Sequence, residues 1–123
     1  MANEIKGTLS LQVNSDTFDF QQALSFDADQ AGVGGGNPGV VDIGTGDEAI
    51  DFGDLTGALG WALIRNTDAT NFVEYGPEAS GSLAVFGKLL PGEATLIRLS
   101  PLITMRARAD AAVVRMSISV FAN

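Results

Sequence analysis

Several groups of residues have types and spacing that could carry chemistry. Gly34-Gly35-Gly36-Asn37-Pro38-Gly39 contains G-x-G-x-x-G at Gly34, Gly36 and Gly39. In dinucleotide-binding folds that spacing brings pyrophosphate to the backbone N–H groups of a helix N-terminus. The motif then needs a strand before it and a helix after it. Here Pro38 sits inside it and the β-branched Val40-Val41 follows, so the segment reads as a flexible loop. The stretch Asp42-Ile43-Gly44-Thr45-Gly46-Asp47-Glu48-Ala49-Ile50-Asp51 clusters carboxylates around two glycines. Calcium takes six to eight oxygen ligands, so this is the candidate metal segment. The EF-hand order is not met, because Asp and Asn do not alternate after Asp42. A solvated acidic turn facing a basic partner is the simpler reading. Whether 42–51 binds a cation stays open, and no metal site is assigned.

Trp61 and Tyr75 could form a sugar-stacking platform, and they are the chain's single Trp and single Tyr. Trp61 lies in the most apolar run, which points to core packing instead. Ser80 and Ser82 have no histidine to activate them, and Lys6 and Lys88 lie beside no nucleophile motif. Fifteen Asp and Glu residues guarantee some close carboxylate pairs in any fold, so such pairs do not argue for glycoside hydrolysis. The chain has no cysteine and no histidine. That excludes thiol nucleophiles, disulfide scaffolds, Cys/His zinc sites and a Ser-His-Asp triad. The expectation is a protein that is not an enzyme, with no catalytic residues and no cofactor.

Charge is unevenly spread. The net charge is −8, and up to Gly60 there are ten acids against one base, whereas from Trp61 onward there are five acids against six bases. An anionic protein repels phosphates, so direct nucleic-acid binding is not expected. The arginines pair with the acidic half, within one subunit or between subunits. Met1-Ala2-Asn3-Glu4 has neither the basic nor the apolar segment of a secretory signal. The longest apolar stretch, Leu55–Ile64, is half the length of a membrane-spanning helix, so no membrane association is expected.

The elements that must position these residues are short strands. Thr8–Val13 alternates, Asn14-Ser15-Asp16 turns, and Thr17–Gln21 resumes the alternation through Leu24 and Phe26, predicting a first hairpin. Residues 27–39, DADQAGVGGGNPG, predict a long flexible loop. Apolar runs follow at Val40–Ile43 and Ala49–Phe52, then Gly60–Asn66, which suits a strand buried on both faces. Phe72–Tyr75, Leu83–Leu89, Ala94–Leu99, Ile103–Arg108 and Val113–Val120 complete the series, with Pro91-Gly92 as the strongest turn. Arg106–Met116 has helix-forming composition, but alternation on both sides of Ala109-Asp110-Ala111 favours a hairpin. The fold class is therefore all-β: one domain over 1–123, a single-domain β-sandwich of about eight to ten short antiparallel strands.

Trp61–Glu74, Leu89–Ala94, the Arg-Ala-Arg-Ala-Asp stretch, Gly35–Val41 and Glu48–Leu55 together resemble a pattern of small tailed-bacteriophage virion proteins. The resemblance is to jelly-roll capsid decoration, or cement, proteins, and it covers about three-quarters of the chain. It implies a jelly roll on the capsid surface, made in the host cytoplasm, bound to the major capsid protein and assembled as a homotrimer. It assigns no catalytic residue. Two other roles stay open: a head-tail junction, tail or fibre component, and a carbohydrate-binding jelly roll for host attachment. The expected interface combines Asp29, Gly34, Gly35, Gly36 and Asn37 of the loop with Arg98, Arg106 and Arg108, which could meet a partner's acidic half.

Overall fold

A computed structural model describes residues 5–29, 35–52 and 59–122. The chain divides into two compact units, Met1–Ala31 and Gly32–Asn123, where the sequence reads as one domain over 1–123. In the first unit, β1 (Ile5–Asn14) and β2 (Asp19–Ala28) form an antiparallel hairpin in register from Ile5↔Ala28 to Asn14↔Asp19. The predicted turn closes it: the Ser15 hydroxyl accepts from the Thr17 and Phe18 N–H groups, and Ser15 N–H donates to the Phe18 carbonyl at 3.0 Å. Because side chains alternate along a strand, Leu9↔Leu24 and Val13↔Phe20 share one face, while Ser10↔Ala23 and Gln12↔Gln21 share the other.

The second unit is a β-sandwich. Its strands are β3 (Gly35–Ile43), β4 (Glu48–Ala49), β5 (Leu59–Asn66), β6 (Val73–Ala79), β7 (Ser82–Leu83), β8 (Gly87–Leu89), β9 (Ala94–Arg98), β10 (Met105–Ala109) and β11 (Val114–Ala122). One sheet has the order β3-β11-β5-β9 and the other β4-β10-β6-β7, with β8 also paired to β6. All pairs are antiparallel, and β3–β11, β4–β10, β5–β9 and β6–β8 are nested, first strand with last. The described chain is thus all-β, with eleven strands and no helix.

Both sheets feed one core. Ile64, Val114, Met116, Ile118 and Val120 of one sheet join Val73, Tyr75, Met105 and Ala107 of the other. Alternation on β11 puts Val114, Met116, Ile118 and Val120 fully inside. Their burial, at roughly 1.5–3 kcal/mol per large aliphatic side chain, dominates the favourable energy of this strand.

Four expectations are corrected. The loop over 27–39 is shorter: Asp27 and Ala28 end β2, and Gly35–Gly39 begin β3, pairing with Phe121, Val120 and Ile118. Backbone groups, which need no side chain, make that ladder. The register shift between Ile118 and Val120 accommodates an extra residue of β3 at Asn37-Pro38, on an edge strand where proline is tolerated. Gly39 takes φ +78° there, a conformation that disfavours a Cβ. Second, β5 is buried on one face alone, with Leu63 and Arg65 exposed and Trp61 half-buried. Its alternation was masked by apolar residues on both sides. Third, β10 and β11 do not form a hairpin but lie in opposite sheets, because both turn an apolar face, Ala107 and Ala109 against Val114 and Met116, into the shared core. Fourth, Leu83–Leu89 splits into β7 and β8. Ala84 N–H and Phe86 N–H bond across to the Pro77 and Tyr75 carbonyls, and the Ala84 carbonyl approaches Gly76 where a side chain would not fit.

Candidate functional site

The acidic stretch is tied into the sandwich rather than gathered on itself. Asp47, in the turn between β3 and β4, meets Arg106 of β10, with Oδ1 2.6 Å from Nε. Its Oδ2 accepts from Leu83 N–H at 2.6 Å. Arg106 also reaches Glu78 at 2.8 Å and the Asp47 carbonyl at 3.2 Å. The Leu83 N–H, and then the Arg106 guanidinium, hold the Asp47 carboxyl below its ordinary range, and Asp47 in turn raises Arg106. Glu48 accepts from Gly44 N–H at 3.1 Å, and Asp42 pairs outward with Arg115 at 3.3 Å. Asp42, Asp47 and Glu48, three of the stretch's four carboxylates, therefore point to three different partners.

Arg108 places Nε and Nη2 on one oxygen of Glu74, at 3.2 and 2.7 Å. Of the arginines expected at an interface, Arg106 and Arg108 thus make ion pairs within the chain. Arg98 lies with its guanidinium over the Trp61 ring, 5.4 Å from the centroid, on the outer face of the β3-β11-β5-β9 sheet. Trp61 is therefore not a core residue. Tyr75 is buried in the other sheet, edge-on to Phe86 at 6.4 Å between centroids, so the two do not form one stacking platform. Ser80 and Ser82 are exposed at the β6–β7 turn. Asp29 follows β2, Gly35, Gly36 and Asn37 lie in β3, and Gly34 falls outside the described residues. The glycine motif leads into a strand, so its helix requirement is not met.

Two features were not singled out from sequence. Asn66 is fully buried at the end of β5, where its Nδ2 donates to the Asn71 and Leu89 carbonyls at 2.9 and 3.0 Å. Its Oδ1 accepts from Asp68 N–H at 2.8 Å. Asp68 accepts from Asn71 and Thr70 N–H groups, which lower its carboxyl pKa. These bonds fix the loop beside an open polar hollow of about 370 Å³ between Asp42, Thr67, Asp68 and Arg115, whose groups are already partnered with one another or with their own loop. A lone polar residue ending an apolar run was the sole signal.

The second feature is a pair of exposed apolar sheet faces. On the hairpin, Leu9 (45%), Leu11 (59%), Phe20 (43%) and Leu24 (53%) line a shallow groove of about 290 Å³. On the sandwich, Val40 (57%), Leu63 (49%) and Phe121 (42%) project outward from β3, β5 and β11. Single exposed apolar residues are ordinary, whereas contiguous sets mark contact surfaces. No known family, curated protein or solved structure matches the chain.

Proposed function

We propose that the chain is a structural protein of a phage virion, a jelly-roll decoration protein that lies across neighbouring major capsid subunits and stabilises the shell. The observation that carries this reading is the nested pairing of β3–β11, β4–β10, β5–β9 and β6–β8. A ribbon of paired strands wrapped around a core gives that nesting. Its interleaved sheets, β3-β11-β5-β9 and β4-β10-β6 with β7 and β8 both paired to β6, suit the double Greek key of jelly rolls in capsid and lectin domains.

Fold does not determine role, so the surface has to supply the rest. Its apolar sheet faces suit adhesion, and the separation of Trp61 from Tyr75 removes the stacking argument for a sugar-binding module. Decoration would act without chemistry. A ligand that binds the assembled shell and not its free subunits stabilises the shell by linkage, and about 800 Å² per partner suffices for a stable contact.

The test is deletion of the coding gene from the phage that carries it, with copy number measured in purified particles. Decoration predicts many copies per wild-type particle, and deleted particles that assemble but rupture at lower temperature. A few copies at one vertex would instead favour the head-tail, tail or fibre reading. Particles equally heat-stable without the protein overturn the stabilising role.

A further inference from the structure

The hairpin presents a largely apolar face, interrupted by Gln22 opposite Leu11, and among the described residues no third strand or helix of its own unit covers it. An isolated two-stranded hairpin is marginally stable in water, and three strands or a packed partner are normally needed. The outer face of the β3-β11-β5-β9 sheet also exposes apolar side chains, Val40, Leu63 and Phe121, around Ser117 and Ser119 of its central strand β11. Register confirms that these positions share one side, since Leu63 faces Ser119 and Leu96, and Ser117 faces Val40.

Charge distinguishes the two faces. Residues 5–29 hold Lys6 against Asp16, Asp19, Asp27 and Asp29. The outer face of the sheet holds Arg65, Arg98 and Arg115, with Asp42 as the carboxylate among its described strand positions. An acidic element and a basic surface, each with exposed apolar side chains, are present on every copy.

We infer that the hairpin of one copy packs its Leu9, Leu11, Phe20 and Leu24 face on the outer β3-β11-β5-β9 sheet of a second copy, closing a homo-oligomer. Area supports a second copy as the occupant. Ten-residue strands rise about 3.3 Å per residue, so the hairpin face covers roughly 33 by 10 Å. In a closed ring each copy is engaged twice, by its hairpin and by its sheet. Each hairpin-on-sheet contact then covers roughly 330 Å² per copy. Where two copies exchange hairpins, the two contacts together reach about 700 Å² per partner, close to the roughly 800 Å² of a standard interface. Opposite charge around the apolar centre sets orientation and adds a salt-sensitive part to the association. This inference does not depend on the virion reading, since it concerns the protein alone in solution.

The experiment uses the full chain and light scattering coupled to gel filtration, with two variants on the two faces. Leu11→Lys blocks the hairpin and Leu63→Lys blocks the sheet. Wild type should run as a multiple of the single-chain mass, and each variant should weaken association about thirtyfold or more. Leu24→Lys and Val40→Lys replace either variant that fails to fold, as judged by far-UV circular dichroism. A monomeric wild type overturns the inference, including the case in which the chain covers its own hairpin. Variants that keep the wild-type mass overturn it equally.

Discussion

β1 and β11 carry the same sequence pattern and reach opposite ends of the burial scale. Leu9, Leu11 and Val13 alternate with polar residues in β1 just as Val114, Met116, Ile118 and Val120 do in β11. Yet Leu11 is 59% exposed and Ile118 is 0% exposed. The difference lies in neighbours. β11 is central in its sheet, between β3 and β5, and faces β10 and β6 across the core, whereas β1 has the single partner β2. Alternation specifies that a strand has an apolar face and leaves unspecified what covers it.

Replacing a core side chain breaks the comparison at its strongest point. Ile118→Ala leaves a hole where both sheets meet, and large-to-small core changes of this type cost about 2–5 kcal/mol. Urea unfolding should show the loss as a lower midpoint with an unchanged slope. A loss under about 1 kcal/mol would mean that the two sheets do not close over β11.

Next in size is Asn66→Ala. It leaves the Asn71 and Leu89 carbonyls and the Asp68 N–H without their side-chain partner, and an unsatisfied buried polar group costs about 1–3 kcal/mol. About 3 kcal/mol is expected, read from the same urea transition. Hydrogen exchange should localise the loosening to the 67–72 and 90–93 loops, where Asn66 N–H also meets the Glu93 carbonyl.

Legibility followed the range of the interaction. The β1–β2 hairpin was readable because alternation and the Asn14-Ser15-Asp16 turn are local, and Pro91-Gly92 likewise makes its turn, with Glu93 N–H on the Leu90 carbonyl at 3.0 Å. Sheet membership was not readable for β10 and β11, since a short connection can join two strands within a sheet or arch between sheets. Glycine-rich residues 35–39 gave no strand signal, because their place is set by the free edge of β11 and not by their own side chains. Of the candidate site, the pairing of Arg106 and Arg115 with the acidic half was readable, whereas Arg108 meets Glu74 of its own half. That Arg106 finds Asp47, 59 residues away, required the β4–β10 pairing.

Acid tests that long-range tie. Asp47 is held below the ordinary carboxylate value of 3.8 by the Leu83 N–H first and Arg106 second. A carboxylate depressed in the folded state contributes stability above its unfolded value, and loses it as pH falls through the folded one. Asp47→Asn should therefore unfold at lower urea than wild type near neutral pH. The two midpoints should converge as pH falls below the ordinary carboxylate value and through the lowered value of folded Asp47, where wild type loses the same contribution. A constant gap across that range would mean that the Asp47 charge is not what Arg106 and Leu83 stabilise.

The smallest effect belongs to the residue that matches Ile118 in pattern. Leu11→Ala removes as many apolar atoms as a core truncation, but from a side chain that is already mostly in water. The transfer gain lost on truncation scales with apolar area removed from water, and substitutions on exposed surface usually stay within about 0.5 kcal/mol. At high dilution, where chains are separate, Leu11→Ala should leave the sandwich's urea midpoint unchanged within that limit. Raising the protein concentration should open a gap in favour of wild type, because association through the hairpin stabilises the folded state by mass action. The two regions then differ in a measurable way: the penalty at Ile118 is independent of concentration, and the penalty at Leu11 grows with it. A large penalty at Leu11 under dilution would mean that the separate chain buries the hairpin face. In that case β1 and β11 would have the same fate after all.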